Sequence, residues 1–119
     1  IRWCPTQFQE HIPGDEFRVH VVGNDVFACR VVSSAIDYRY GGARYEAAGL
    51  PRSVARRCVA LGEALGLELS GIDLRRTPAG EWYCFEVNPS PAFSCYEVHT
   101  DQSISGAIVD RLESAPARP

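Results

Sequence analysis

The chain is 119 residues long, room for one domain with one core, and 45% of its residues are apolar, as in an ordinary globular protein. Fifteen acidic against twelve basic side chains leave a net charge of −3, with the arginines scattered, which argues against a nucleic-acid or membrane surface. No apolar run approaches the ~18 residues of a membrane-spanning helix.

The five cysteines (Cys4, Cys29, Cys58, Cys84 and Cys95) are odd in number and widely spaced, with no C-x-x-C pair. That pattern predicts free thiols in a reducing cytoplasm rather than a disulfide framework. Cys29, Cys58 and Cys84 read as small core residues. Zinc is disfavoured, because no ligand pair drawn from the cysteines and His11, His20 and His99 has zinc spacing. The chain holds no methionine and opens on Ile1-Arg2-Trp3-Cys4, which reads as part of a longer protein. Residues 1–113 are expected to form one subdomain and 114–119, ending Ala-Pro-Ala-Arg-Pro, a disordered tail.

In chain order, Gln7–Ile12 reads as a strand closed by Pro13-Gly14. Glu16–Val22 and Val26–Ser34 are rich in β-branched residues and flank Gly23-Asn24, a strong hairpin signal. The glycines and aromatics of Ala35–Gly49 suggest a mobile loop. Pro51 opens a helix whose stripe is Val54, Cys58, Leu61 and Leu65, with Gly66 as its C-cap. Leu69–Arg76 and Trp82–Val87 both alternate around the turn chemistry of Thr77–Glu81, an antiparallel hairpin. A last helix spans about Ser103–Leu112, burying Ile104, Ala107, Ile108 and Leu112. Three strands, a helix, two strands and a helix make an α+β fold, an antiparallel sheet with helices packed on one face.

The second hairpin carries the chemistry. A turn near Ala79 or Gly80 sets Asp73 opposite position 85 or 86. Alternation then puts Ile72, Leu74, Tyr83, Phe85 and Val87 on one face, and Asp73, Glu86 and Asn88 on the other. Carboxylates directly opposite across strands repel. A divalent cation reverses that sign, and oxygen donors of this kind suit magnesium. The plainer reading is a solvated face, which any one of these residues alone would favour. Pro89 and Pro91 end the sheet just beyond the oxygens and stiffen the loop that follows.

Gln9-Glu10-His11-Ile12-Pro13-Gly14-Asp15-Glu16-Phe17-Arg18, the Val-Gly-Asn-Asp hairpin, Gly71-Ile72-Asp73 and Phe85-Glu86-Val87-Asn88-Pro89-Ser90-Pro91 occur in the order seen in ATP-grasp carboxylate–amine ligases. From about Pro5 to Leu112 the chain resembles the C-terminal half of those enzymes. The branch it looks most like contains the protein-tail glutamate ligases and the microviridin-type peptide maturases. The resemblance implies that Gln9, Glu10 and Ile12 belong to a hinge strand that reads adenine and that Glu16 bonds the ribose. Arg18 matches an arginine near the phosphates, and Arg30 one that faces the reacting carboxylate or phosphate. Asp73, Glu86 and Asn88 match the magnesium ligands, with Glu86 between two ions; manganese is an alternative. A two-residue turn at Gly23-Asn24 would point Arg18 and Arg30 to opposite faces, whereas a three-residue turn would set them opposite each other.

The implied reaction activates a carboxylate of a peptide or amino acid with Mg-ATP and joins it to an amine or hydroxyl. The alternative is a nucleotide-binding or regulatory module that keeps the fold without the chemistry. The implied partners are the substrate and the N-terminal half of the same protein, which would bring a glycine-rich lid with lysines. Every basic residue in this chain is an arginine, so this half alone is expected to be inactive. A homo-oligomer is left open. Thr100-Asp101 stands where relatives commonly have Thr-Gly.

Overall fold

The computed structural model describes residues 3–33 and 43–116. Its sheet is built outward from β1 (Asp15–Val22), which the two-residue turn Gly23-Asn24 joins to β2 (Asp25–Ser33). Strand β3 (Ala43–Ala48) lies outside β2, and helix α1 (Arg52–Ala64) follows it. Strands β4 (Leu69–Arg76) and β5 (Trp82–Asn88) form the second hairpin, with β4 paired to β1. Helices α2 (Ser94–Thr100) and α3 (Ile104–Ser114) close the chain. The strand order is β3-β2-β1-β4-β5, antiparallel throughout, so the α+β class stands. No helix among the described residues is long and apolar enough to cross a membrane.

Alternation along β1 decides the two faces of the sheet. Phe17, Val19 and Val21 form the core with Ala28 of β2, Ile72 and Leu74 of β4, and Cys58 of α1. The Phe, Val, Ile and Leu side chains among them contribute about 1.5–3 kcal/mol each when fully buried. Trp82 closes one end, its ring centroid 5.0 Å from that of Phe17. Helix α1 ends as its sequence requires. Gly66 turns left-handed at φ 68°, its N–H donates to Glu63 O at 3.0 Å, and Leu67 N–H donates to Gly62 O at 2.9 Å. The opposite face of β1 carries Glu16, Arg18, His20 and Val22. Tyr96 of α2 packs on His20 there, with ring centroids 5.1 Å apart. Near the β1–β2 turn, Val22 and Ala107 of α3 line one cavity.

Several local expectations are corrected. Residues 7–12 form no strand, because no strand among the described residues takes them as a neighbour. The 35–49 stretch instead contains β3; its Asp37–Gly42 run lies outside the described residues. Helix α2 was not expected at all. Leu65 and Leu112 are exposed rather than buried, the first lying beyond the last turn of α1 and the second in the final turn of α3. Cys29 and Cys58 are buried as expected, but Cys84 is exposed on the edge strand β5. The expected tail boundary falls at Ser114, the last residue of α3, and 117–119 lie outside the described residues.

Candidate functional site

Register places three rungs across β1, β4 and β5 on the face away from the Phe17 core. His20 stands opposite Gly71, and Gly71 opposite Asn88. Arg18 stands opposite Asp73, and Asp73 opposite Glu86. Glu16 stands opposite Arg75, and Arg75 opposite Tyr83. Directly opposed residues share a face, so the structure gathers Glu16, Arg18, Asp73, Glu86 and Asn88 on one surface.

A β-bulge keeps this alignment. Pairing jumps from Asp73–Glu86 to Leu74–Cys84, which leaves Phe85 without a partner on β4. Phe85 therefore does not join the core face. Its ring lies 5.4 Å from the Arg75 guanidinium on the site face, and Tyr83 shares the Arg75 position rather than that of Leu74. Without the extra residue, Glu86 would point away from Asp73.

The middle rung is charged, with Arg18 and Asp73 half-buried and Glu86 exposed. Arg18 Nε lies 2.6 Å from Asp73 Oδ1, and Arg18 Nη2 donates to Oδ2 at 3.1 Å. Burial nonetheless pushes the Asp73 carboxyl above its ordinary range. Arg18 opposes that rise, while Glu86 and Glu16 add to it. Three carboxylates, Glu16, Asp73 and Glu86, thus share this face with two guanidiniums, Arg18 and Arg75. No three Asp, Glu, His or Cys side chains converge among the described residues, so the candidate cation set remains two carboxylates and one carboxamide. Those are hard oxygen donors, and the uncompensated charge fits a divalent cation.

The loop beyond β5 is fixed by three contacts. Asn88 Oδ1 accepts from Ser90 N at 2.9 Å. Pro91 sits so close to Gly71 that an added Cβ would lie 2.5 Å from the Pro91 Cβ. His20, 1% exposed, donates from Nε2 to Ala92 O at 3.0 Å. Burial depresses the His20 pKa, the Ala92 hydrogen bond raises it in part, and Arg18 depresses it further. Tyr96 completes this wall with its ring 5.8 Å from the Arg18 guanidinium.

The remaining expected residues divide. The two-residue turn sends Arg30 to the opposite face, level with Phe17, where it pairs with Asp15 at 2.8 Å. The structure therefore does not bring Arg30 to Arg18 or Asp73. Gln9 and Glu10 lie exposed in an irregular segment. Ile12 is held from the site face, because Arg75 Nη1 donates to its carbonyl at 2.8 Å. Arg75, His20 and Tyr96 were missed by sequence reasoning. Alternation from Asp73 pointed to Arg75, and alternation from Arg18 to His20. Nothing local announced Tyr96. Asp101 adopts φ 54° at the end of α2, the left-handed region that favours glycine.

No family model matches the chain. A probable alpha-L-glutamate ligase of Photobacterium profundum is 32% identical over 117 residues, which cover 92% of this chain and 38% of the ligase. The ATP-grasp ligase PsnB, in a complex with a phosphomimetic variant of its minimal precursor, Mg and ADP, superimposes with TM-score 0.82 at 32% identity. That match covers 89% of this chain and 34% of PsnB. The macrocyclase MdnC from Microcystis aeruginosa, bound to precursor peptide MdnA, superimposes with TM-score 0.81 at 28% identity, covering 96% and 35%. The chain thus spans little more than a third of the length of these relatives.

Proposed function

Because the chain belongs to the ATP-grasp ligase family over most of its length, we propose that it forms one wall of the ATP site of a carboxylate-activating ligase. The observation that carries this reading is the Arg18–Asp73–Glu86 rung, with Asn88 beside it. Asp73, Glu86 and Asn88 would hold magnesium through their side-chain oxygens. When bound, the metal neutralises charge on the β- and γ-phosphates.

The chain's own residues supply the rest of the wall. Arg18 lies beside the acids and faces the phosphates. Glu16 and the segment Gln9–Ile12 take the ribose and adenine. A substrate carboxylate oxygen attacks the γ-phosphorus, the bond to the bridging oxygen breaks, and ADP leaves. An amine or hydroxyl then attacks the acyl carbon and displaces phosphate, forming an amide or ester. No protein nucleophile takes part, so positioning and electrostatics provide the acceleration. PsnB and MdnC are described with precursor peptides, which supports a peptide as the substrate.

Calorimetric titration of the full-length protein with Mg-ATP tests this. Glu86→Ala and Asn88→Ala are each expected to weaken binding at least about tenfold. Binding that survives both substitutions unchanged would sink the proposal. A second reading, a nucleotide-binding module without ligation, is favoured by one feature: Arg18 already engages both oxygens of Asp73. ATP turnover without product from any carboxylate and acceptor pair would support it.

A further inference from the structure

We propose that Arg75 is a positioning residue for the nucleoside end of the site, an assignment that rests on the ATP reading above. Arg75 stands two residues beyond Asp73 on the same face of β4. Its guanidinium makes three contacts. Nη1 donates to Ile12 O at 2.8 Å, Nη2 donates to Glu16 Oε2 at 3.4 Å, and the group lies 5.4 Å from the Phe85 ring centroid.

Each contact reaches a different part of the wall. Ile12 belongs to the irregular segment 5–13, and among the described residues no other hydrogen bond ties that segment to the sheet. Glu16 is the acid placed to meet the ribose. Phe85 is the bulge residue that the register shift turned toward this face. One planar fork therefore sets the hinge segment and the ribose acid relative to the strand that carries Asp73. Lysine lacks that geometry, because it is a point charge without a rigid pair of donors.

The bond to Ile12 also selects what the segment presents. The Ile12 carbonyl is engaged by Arg75 and its N–H makes no backbone hydrogen bond among the described residues, which leaves a donor suited to a ring nitrogen of a purine. Arg75 Nε is buried without a partner among the described residues. An unsatisfied donor is costly, so the pose depends on the three contacts that hold it.

Titration of the full-length protein with Mg-ATP and with Mg-ADP tests the assignment. Arg75→Leu is expected to weaken both about tenfold and by equal factors, because the lost contacts lie at the nucleoside end. The magnesium dependence of binding should not change. Arg75→Lys keeps the charge without the fork and is expected to weaken both ligands in the same direction, so the test stands if the leucine variant does not fold. Unchanged affinity in the folded variants, or a loss confined to the triphosphate, overturns the assignment and leaves the ATP reading intact. Absence of binding by the unsubstituted protein overturns the ATP reading and this assignment with it.

Discussion

At the scale of single residues, His20 shows how a buried polar group supports the site without belonging to it. Its hydrogen bond to Ala92 O and its packing on Tyr96 hold the proline loop against the sheet. Burial favours the neutral ring, so the folded-state pKa lies below the ordinary value of 6.5. Between the two values the unfolded chain binds more protons than the native one, and stability rises with pH. The contribution is therefore complete above about pH 6.5 and is lost as pH falls through the depressed value. Urea unfolding of the full-length protein at pH 7 and pH 5 is expected to show a larger loss than in His20→Gln. An equal loss in both proteins would refute this role. His20 was legible as a site-face residue once alternation from Arg18 was followed. Its burial was not, because Tyr96 covers it from a helix that the sequence does not announce.

At the scale of elements, the second hairpin was legible and its bulge was not. Alternation flanking Thr77–Glu81 defines two strands and a turn. An inserted residue leaves no periodic trace, so Phe85 and Tyr83 were put on the core face. The two missed elements have equally physical causes. β3 reads Ala-Arg-Tyr-Glu-Ala-Ala, without a β-branched residue, and among the described residues pairs only with β2. α2 has seven residues, too few to display a helical stripe. Gln7–Ile12 failed in the other direction, because a strand-like sequence needs a neighbour to become a strand. The contact between Gly71 of β4 and Pro91 yields a prediction at this scale. Gly71→Ala places a methyl group 2.5 Å from the Pro91 Cβ. It is expected to cost about 1–3 kcal/mol of stability and to weaken Mg-ATP binding by displacing the loop after Asn88. Denaturant unfolding and titration of that variant check both, and an unaltered unfolding midpoint would contradict the close approach.

At the scale of the whole molecule, the sheet presents one completed surface and one opposing requirement. The Phe17 core lies between the sheet and α1, while the three rungs open outward. A cleft beside them is lined by His11, Glu16, Arg30 and Arg75. The relatives it matches are about two and a half times as long, and a site that excludes water needs a second wall. On the proposed ligase reading, residues 1–119 expressed alone are therefore expected to form no ligation product with ATP and any carboxylate and amine pair. Product analysis by mass spectrometry reads this directly. Product formed by the short chain would show that the wall described above suffices.

The interleaving of β1 has its own consequence. Phe17, Val19 and Val21 alternate with Glu16, Arg18 and His20 on one strand flanked by β2 and β4. A slip of one residue would push the charges into the core and expose the apolar set. A one-residue slip therefore cannot keep a correct interior while displacing the charged face. Packing the inside of β1 excludes that error at the same time as it fixes which side Glu16, Arg18 and His20 face.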